Sequence, residues 1–587
     1  MSFINERLKP KRLIPLALRL TAMLLLVCVL MTFVSFETAS AYVPPRTVLR
    51  IGLNWNTTAL ASTNLQNEVG SGYEFGYYDG AHNFTRVATT SDTRISMTID
   101  HNMVWNAGGS FSGEYYSIGT SNTAPSGVSF GCWSLRINGG RDSLAAAQND
   151  LAGYSDGYVK YLNGVYIPMY GRFFTRAAAE SGRRSTAHVV DSGTGNTIVV
   201  TRTGTNVILF KYDNSTTTTR IFGVRPLGSG KLSTHYRGER YNGGFRYERR
   251  VSNAMTVVNI VSVEDYVQGV IPYEMSNSWP LEALKAQALC ARTYGMSMLN
   301  KHGTHGIDLC TEMDCQVYRG RRLANATTDR AVNETAGMYV THGGRLCETY
   351  YVSSHGGASE NSENVWQTAL PYLKGVMDPY EANVIPRISS YNWERLITQS
   401  AVTTRVRNTY PNASTIVSMW VSQYTPTGNV LSVTLRDANG RDYTYSKRGG
   451  LQNALGVDAI RSQRFNIGTT VWQQGGNILA NSPAQVVTQA STYSVLDAAG
   501  NVVSISGEGM IAIDASNVHR TVAGSGSNIS SGTPTGPVNG IFTIRGTGWG
   551  HNVGMSQWGA FSQAHYYGRT AEQIVTFYFT GVTIVRT

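Results

Sequence analysis

Short stretches of alternating apolar and polar residues run through the region from residue 42 to about residue 225. Residues 48–53, 197–200 and 207–211 alternate with a period of two, which is the period of a strand with one buried face. Around residues 166–180 a strand-like run is followed by Ala177, Ala178 and Ala179, which favours a helix. We therefore predict a β-rich region with a small helical component over residues 42–225.

A helical period replaces the strand period after residue 260. Ser262 and Asp265 stand at capping-box spacing, and the apolar positions that follow are Val263, Tyr266, Val267 and Val270. Pro272 is expected to end this helix, and a second helix is expected from about Pro280 to about Leu299, with Glu282 in its first turn. The expected fold class is α+β, with dominant strands and a short helical pair.

The N-terminal 41 residues have the pattern of a secretory signal. Five basic residues precede the apolar run 20–36, and the run is followed by the small residues Ala39, Ser40 and Ala41. A predominantly apolar run of 17 residues is also near the lower limit for a membrane-spanning helix, so an uncleaved N-terminal anchor is the alternative. Either way we expect an exported, extracytoplasmic protein.

Breaks in the pattern divide the rest of the chain. The Gly/Pro/Ser run 226–230 marks a boundary, and residues 523–539 have the composition of an exposed loop. The expected organisation is a signal or anchor at 1–41, an accessory domain at 42–225 and a main domain at 235–587. A loop or insertion is expected at about 470–540.

Composition and charge narrow the function classes. Charged residues make up only 15% of the 587 residues, against about 25% in average proteins, which excludes a charge-rich disordered chain. Without residues 1–41 the chain has 44 basic and 36 acidic residues, a balance of +8. This balance suits anionic polymers or lipid headgroups outside the cell, or simply solubility. Because no dense Lys/Arg stripe with interleaved aromatic residues occurs, nucleic acid is not an expected partner.

Five cysteines follow the signal, an odd number that does not suit a framework of disulfides. His305, Cys310, Asp314 and Cys315 lie close together in sequence, with His302 as a further donor. Four residues between two cysteines is a spacing found in tetrahedral zinc sites. Zinc, a Cys310–Cys315 disulfide and free thiols all stay open.

Six sequence blocks carry a family resemblance. They are 266–275 (YVQGVIPYEM), 279–288 (WPLEALKAQA), 291–294 (ARTY), 315–318 (CQVY), 372–376 (YLKGV) and 548–560 (GWGHNVGMSQWGA). Together they resemble the stage II sporulation protein D family, which includes amidase enhancers. The resemblance covers roughly residues 235–587. Residues 144–190 more faintly resemble the wall-binding SPOR module, the alternative being an unassigned β/α domain.

The resemblance implies a lytic transglycosylase that cleaves peptidoglycan glycan strands stripped of their peptides, during engulfment in sporulation. It also implies that Glu274 is the catalytic acid. Glu274 lies between two helices, near Tyr273, Met275 and Trp279. A carboxyl group against such surface has a raised pKa and can donate a proton near neutral pH. From the residues alone, Glu274 could equally be an exposed carboxylate that caps the second helix.

Further site residues follow from the resemblance. Arg292, Tyr372, Lys374, Glu381 and His551 are expected to bind substrate, with Tyr372 and Lys374 on one face of a predicted strand. At position 381 the family more often has Asp. Some members carry a metal site near the catalytic Glu, which here implies His305, Cys310 and Cys315 as zinc ligands. The family has His before the second cysteine, where this chain has Asp314.

Two functions of different class are compatible with this sequence. The first is the transglycosylase, which needs no cofactor for its chemistry and leaves 1,6-anhydro-muramyl ends. The second is a non-catalytic wall-binding protein that stimulates a peptidoglycan amidase. Its partners would be glycan strands and, for the second function, an amidase and other engulfment proteins.

Overall fold

The computed structural model describes residues 46–468 and 534–587, except 109–112, 121–123, 194, 215–219 and 252, and also four short strands between residues 493 and 521. The predicted signal at 1–41 and most of the predicted insertion at 470–540 lie outside the described residues.

Strands form most of the regular structure, as the sequence predicts. In chain order they are β1 (Val48–Asn54), β2 (Ser62–Val69), β3 (Tyr73–Tyr78), β4 (Phe84–Thr90), β5 (Arg94–Ile99), β6 (Met103–Asn106), β7 (Glu114–Ser117), β8 (Ser129–Phe130), β9 (Trp133–Arg136), β10 (Gly157–Leu162), β11 (Val165–Phe173), β12 (Val189–Asp191), β13 (Thr197–Arg202), β14 (Ile208–Asp213), β15 (Ile221–Pro226), β16 (Ser233–Tyr236), β17 (Glu239–Asn242), β18 (Gly244–Val251), β19 (Ala254–Ser262), β20 (Leu309–Cys310), β21 (Met338–His342), β22 (Arg345–Leu346), β23 (Tyr351–Val352), β24 (Asn392–Thr398), β25 (Ile416–Tyr424), β26 (Val430–Asp437), β27 (Asp442–Ser446), β28 (Phe465–Ile467), β29 (Tyr493–Leu496), β30 (Val502–Ile505), β31 (Ile511–Ile513), β32 (His519–Thr521), β33 (Ile541–Thr547), β34 (Met555–Ser556) and β35 (Thr583–Arg586).

Helices are fewer and most are short. The α-helices are α1 (Leu144–Asn149), α2 (Arg176–Ser181), α3 (Val263–Glu274), α4 (Leu281–Ser297), α5 (Ala326–Glu334), α6 (Ser362–Val365), α7 (Gln399–Thr409), α8 (Lys447–Leu455), α9 (Gln557–Tyr567) and α10 (Ala571–Tyr578). Short 3-10 helices occupy Asn56–Thr58, Gly303–His305, Pro379–Arg387 and Val457–Ala459. Within the described residues, none of these helices has the length and apolar character needed to span a membrane.

One sheet joins the two regions that the sequence separates. Its seven strands run in the order β20-β1-β19-β18-β15-β3-β4. β1 pairs antiparallel with β19, with Val48 opposite Ser262, and parallel with β20, with Ile51 opposite Leu309. The boundary predicted between 225 and 235 therefore falls inside a single sheet.

A second sheet packs on the first through aromatic side chains. Its ten strands run in the order β12-β9-β11-β10-β14-β13-β5-β2-β16-β17. The ring centroids of Phe75 in the first sheet and Phe210 in the second are 5.5 Å apart, and those of Phe222 and Tyr212 are 5.0 Å apart. Face-to-face sheets with side chains interdigitated between them are a standard way to bury one face of each sheet. Together the sheets form the β-rich support for the rest of the chain.

The segment 144–190 is built into the second sheet. It forms α1, the β10–β11 hairpin and α2, and it ends in β12. The expected order of strand then helix is confirmed, since β11 ends at Phe173 and α2 begins at Arg176. Its resemblance to the SPOR module stays a prediction.

The predicted helical pair is confirmed as α3 and α4. Ser262 caps α3, its hydroxyl accepting a hydrogen bond from the Asp265 backbone N–H at 3.1 Å. Pro272 does not end α3, which continues to Glu274; the proline's lack of an N–H removes only one hydrogen bond, in the last turn. Because β19 leads directly into α3, the seven-stranded sheet fixes the start of the helix that carries Glu274.

The region after α4 is built from several smaller sheets. Three-stranded sheets have the orders β22-β21-β35, β24-β33-β28 and β25-β26-β27, and β23 pairs in parallel with β34. The last pair places Tyr351 opposite Met555 and Val352 opposite Ser556. It brings the terminal sequence block next to the middle of the chain, although some 200 residues separate them.

A truncation tests the continuity of the seven-stranded sheet. A chain of residues 226–587 lacks β1, β3 and β15, so β18 and β19 lose their outer partners and expose unpaired backbone groups. We expect this chain to show no cooperative thermal transition by circular dichroism, while a chain that starts at residue 44 melts cooperatively. A sharp melt of the shorter chain would contradict this prediction and support a separate accessory domain.

Candidate active site

Glu274 is the last residue of α3, and its carboxyl group is held by three other segments. Oε1 accepts a hydrogen bond from the Val317 backbone N–H at 2.9 Å, and Oε2 accepts one from Gln557 Nε2 at 3.3 Å. The Tyr351 hydroxyl also hydrogen-bonds to this carboxyl group. Three of the sequence blocks, together with the segment that contains Tyr351, thus meet at one side chain, which stays partly exposed.

Burial raises the pKa of the Glu274 carboxyl above its usual range, and the hydrogen bonds donated by the Val317 N–H and the Gln557 amide only partly oppose this. Its position at the carboxyl end of α3 acts in the same direction as burial, because the helix dipole there is negative. No cation is among the groups that set this pKa in the described residues. A carboxyl group in these surroundings favours its protonated form.

A hydrogen-bond chain behind Glu274 favours the same form. Gln316 Nε2 donates to the Ala291 carbonyl at 3.2 Å, which fixes the orientation of the Gln316 amide. Gln316 Oε1 must then accept the proton of the Tyr351 hydroxyl, whose oxygen lies 2.8 Å away. Since a tyrosine hydroxyl has one proton, the Tyr351 oxygen is left to accept a hydrogen bond from the Glu274 carboxyl. That carboxyl can donate only when it is protonated.

Tyr351, Gln316 and Gln557 were not predicted as site residues. Gln316 and Gln557 lie inside sequence blocks that carry the resemblance, so the blocks themselves contained a signal. Tyr351 lies outside every such block, and only the pairing of β23 with β34 brings it to Glu274. Nothing in the sequence near Tyr351 distinguishes it from the chain's other tyrosines.

His551 lies next to this site in a neutral form. Its Nδ1 accepts a hydrogen bond from the Val553 backbone N–H at 3.1 Å, and its ring contacts Trp366 with centroids 5.1 Å apart. Burial lowers the pKa of His551 to about 3, so the ring is uncharged at neutral pH. Because His551 also hydrogen-bonds to the backbone of Tyr351, its position suits a residue that holds Tyr351 in place.

Arg292 does not face the site, contrary to expectation. Its side chain is fully buried, and its guanidinium forms an ion pair with Glu264 in which Nη2 and Oε2 are 2.7 Å apart. It also donates to the carbonyl oxygens of Val332 and Met338. Glu264 is at the opposite end of α3 from Glu274. Arg292 therefore anchors the start of α3 and cannot touch a ligand in this structure.

Tyr372, Lys374 and Glu381 are also placed differently from the prediction. Tyr372 and Lys374 lie in a turn and an irregular segment rather than a strand. The Tyr372 hydroxyl accepts from the Glu348 N–H at 3.0 Å, and Lys374 Nζ donates to Glu363 at 3.0 Å. Neither residue has a described contact with Glu274, and Lys374 stays partly exposed.

Glu381 is completely buried and serves the local fold. Its carboxyl group accepts hydrogen bonds from three backbone N–H groups, of His355, Gly356 and Gly357, and from the hydroxyls of Ser354 and Ser556. Burial, with the nearby Asp378 carboxylate, raises its pKa. Because its lone pairs are all engaged, Glu381 is not available to a substrate.

A group of possible metal ligands lies beside the Glu274 site. Ligand atoms of His302, Cys310, Asp314 and Cys315 all lie within 4.8 Å of one another. Cys315 Sγ is 3.3 Å from His302 Nε2, and Asp314 Oδ2 is 3.2 Å from the same nitrogen. Both cysteines are free thiols here. The segment that contains Cys315 continues directly into Gln316 and Val317, which contact the Glu274 site.

His305 is not part of this group, so the predicted histidine ligand is wrong. His305 ends the 3-10 helix Gly303–His305, and its ring packs against Trp55 with centroids 4.8 Å apart. His302, which precedes this turn, supplies the nitrogen instead. Sequence spacing alone does not distinguish the two, because the turn decides which ring reaches the thiols.

Comparison with known proteins supports the family resemblance. Residues 251–342, which include Glu274 and both cysteines of the group, match the family model described as stage II sporulation protein, SpoIID. This region is therefore similar to the stage II sporulation protein D family.

Three similar proteins show how far the match extends. An uncharacterized protein of Brachyspira hyodysenteriae is 28% identical over 338 residues, which is 57% of this chain and 69% of that protein. The amidase enhancer of Bacillus subtilis is 29% identical over 54% of this chain and 40% of its own length. Stage II sporulation protein D of Bacillus subtilis is 31% identical over 21% of this chain and 40% of its own length. The match thus covers less than half of the last two relatives.

The Arg292 ion pair gives a prediction about stability. Arg292→Met keeps a long apolar side chain but leaves Glu264 without its partner, so we expect the free energy of unfolding to fall by about 3 kcal/mol. The matched control is Arg330→Met on α5, where the arginine is 64% exposed and pairs with Glu334; its effect should stay within about 0.5 kcal/mol. Urea denaturation measures both. Wild-type stability of Arg292→Met, together with lost glycan binding, would instead make Arg292 a ligand-binding residue.

Proposed function

We propose that this protein is a lytic transglycosylase that cleaves the glycan strands of peptidoglycan, with Glu274 as its single acid and base. The observation that carries the proposal is the partly exposed Glu274 carboxyl at the meeting point of the sequence blocks, where burial raises its pKa. The family match and the similarity to stage II sporulation protein D support it. We place the protein outside the cytoplasm, in wall remodelling during engulfment, on the strength of the signal-like residues 1–41.

The proposed reaction needs one carboxyl group. Protonated Glu274 gives its proton to the glycosidic oxygen as the bond from that oxygen to C1 of muramic acid breaks. The resulting carboxylate takes the proton of the muramic acid 6-hydroxyl, whose oxygen forms a new bond to C1. The products are a 1,6-anhydro sugar and a free 4-hydroxyl on the leaving sugar. No water is consumed, and Glu274 ends protonated as it began.

A single carboxyl group at the described site is enough for this reaction. Ordinary glycosidases use two carboxyl groups about 5–9.5 Å apart, one to protonate and one to attack or activate water. Among the described residues, Glu274 is the only carboxyl group in contact with both Tyr351 and Gln557, and the Glu381 carboxyl accepts five hydrogen bonds from other groups. An intramolecular hydroxyl at C6 takes over the nucleophile's role through proximity.

Glu274→Gln tests the assignment. The amide keeps the size of the side chain and can still accept from Val317, but it cannot donate a proton of suitable acidity or act afterwards as a base. We expect release of anhydro-muramyl products from peptide-stripped strands to fall by at least about 10²-fold. The matched control is Glu572→Gln on α10, which makes the same carboxyl-to-amide change and should leave turnover unchanged.

The same variant has an expected signature in pH-dependent stability. Because the folded-state pKa of Glu274 is raised, its contribution to stability is present below the unfolded pKa, about 4.3, and is lost as pH rises through the folded value. Glu274→Gln should therefore gain melting temperature relative to wild type at pH 8 and show no gain near pH 4. Wild-type turnover of Glu274→Gln would overturn its role as the acid.

A second candidate function is stimulation of a peptidoglycan amidase, favoured by the 29% identity to a protein named amidase enhancer. In this case the protein would bind the wall and act on its partner rather than on the glycan. Incubation with stripped strands alone, and with intact wall plus an amidase, separates the two functions. Anhydro ends in the first mixture support the transglycosylase, and faster peptide release in the second without anhydro ends supports the enhancer.

We also propose that the cysteine group holds a structural zinc ion. The donor set fits: two thiols and an imidazole suit zinc, and contacts of 3.2–3.3 Å at His302 Nε2 are close to the spacing of ligands around a tetrahedral ion with bonds of about 2.0–2.3 Å. A hydrogen bond from Cys315 lowers the pKa of Cys310 to about 6, so one thiolate forms readily. Bound zinc would fix the loop that supplies Gln316 and Val317 to the Glu274 site.

Zinc content tests the cysteine group directly. Protein purified without chelator should contain about one zinc per chain by mass spectrometry, and Cys315→Ser should lower this markedly. Cys132→Ser is the control, because Cys132 is buried and outside the group, and its zinc content should stay at the wild-type value. A chelator should lower the melting temperature of wild type but not of Cys315→Ser. A stoichiometry near zero in wild type would end the zinc proposal.

A further inference from the structure

A hollow of about 490 Å³ opens on the surface beside α9. Its walls include Trp279, Trp558, Phe561, Arg387 and His565, and we call it the aromatic hollow. Its volume is within the range of small-ligand sites, about 300–1,000 Å³.

The aromatic hollow and Glu274 are connected through two segments of the chain. Trp279 is in the turn that joins α3 to α4, shortly after Glu274. Trp558 directly follows Gln557, whose side-chain amide donates to the Glu274 carboxyl. Two walls of the hollow are therefore formed by segments that also contribute to the Glu274 site.

Trp279 and Trp558 are partly exposed and pack on the buried ring of Phe561. Their ring centroids are 4.6 Å apart with the planes at 55°, and Phe561 lies 5.1 Å from Trp279 and 5.6 Å from Trp558. Phe561 is 5% exposed, while both tryptophans are only partly buried. Large aromatic side chains with one wet face suit a ligand with an apolar face and a polar edge, and the apolar C–H face of a sugar ring has this character.

Arg387 gives the hollow a positive charge. It is exposed at the end of the 3-10 helix Pro379–Arg387, and its guanidinium lies 5.4 Å from the Phe561 ring centroid. Within the described part of the chain, the structure gives Arg387 no hydrogen bond or ion pair, and none of the residues that line the hollow is acidic. A guanidinium held beside aromatic rings, with its donors free, favours a carboxylate ligand.

We propose that the aromatic hollow is a subsite for a muramic acid residue whose lactyl carboxylate is free, with Trp279 and Trp558 against the sugar and Arg387 on the carboxylate. This inference rests on the proposed function, since it places the subsite on the strand that Glu274 cleaves. The lactyl group ends in a carboxylate only after the stem peptide has been removed, because the peptide is attached to it through an amide bond. Arg387 would thus make the protein selective for stripped strands.

Binding measured without cleavage tests the subsite. In the full chain carrying Glu274→Gln, the added change Arg387→Gln should weaken binding of peptide-stripped glycan strands by roughly tenfold. The same change should leave binding of N-acetylglucosamine oligomers, which have no lactyl carboxylate, unchanged. Arg330→Gln has the same charge change at an exposed position and should have no effect on either ligand. Titration calorimetry or tryptophan fluorescence gives the dissociation constants.

A second variant tests the aromatic side of the hollow. Trp279→Leu keeps apolar contact with Phe561 but removes the flat ring, so it should weaken binding of both ligands by roughly tenfold. A thermal melt of each variant shows whether the fold is kept. If Arg387→Gln weakens both ligands equally, or neither, the carboxylate subsite is wrong.

The outcomes for the subsite and for catalysis are separate. Selective loss of stripped-strand binding supports the subsite even if wild type releases no anhydro product, which would overturn only the transglycosylase. The opposite outcome is cleavage by wild type, with Arg387→Gln and Trp279→Leu equal to wild type in binding and in turnover. This outcome would overturn the subsite and leave the transglycosylase in place.

Discussion

The carbonyl oxygen of Ala291 fixes the proton arrangement on which the candidate active site depends. It orients the amide of Gln316, which in turn takes the only proton of the Tyr351 hydroxyl. Glu274 is then left beside an oxygen that can only accept. Together with burial at the carboxyl end of a helix, this makes the neutral acid the favoured form of Glu274. Among the described residues, the groups that act on the pKa of Glu274 are thus helix backbone and neutral side chains.

The rest of the fold holds the parts of this arrangement in register. α3 is fixed at its start by the Ser262 cap and by the Arg292–Glu264 ion pair, and β19 connects it to the seven-stranded sheet. The β23–β34 pair brings Tyr351 and the start of α9 to the other side of Glu274. Arg292 and Glu381 also stabilise this arrangement. The resemblance implies that both bind substrate, but both side chains are buried and bonded within the protein.

Local features were predictable from the sequence and long-range pairing was not. Helical periodicity and capping located α3 and α4 within a few residues, and the sequence blocks pointed to Glu274. The sequence does not show that Arg292 pairs with Glu264, because Glu264 is on another helix. It also does not show that His302 rather than His305 lies at the thiols, because a single turn decides which ring faces them. The predicted domain boundary near 225–235 rests on the Gly/Pro/Ser run 226–230. Local composition does not show that β1, before this run, pairs with β19 and β20, after it.

The position of β1 also has a consequence for how the chain folds. β1 ends at Asn54, yet one of its two neighbours in the sheet is β20, which ends at Cys310. At synthesis rates of about 5–20 residues per second, β1 emerges roughly ten seconds to a minute before that neighbour exists. Contacts between such distant segments also slow folding itself. During that interval the backbone N–H and C=O groups on the β20 side of β1 are unpaired. A chaperone that covers strand edges during synthesis would therefore raise the yield of native protein more than one that acts after synthesis.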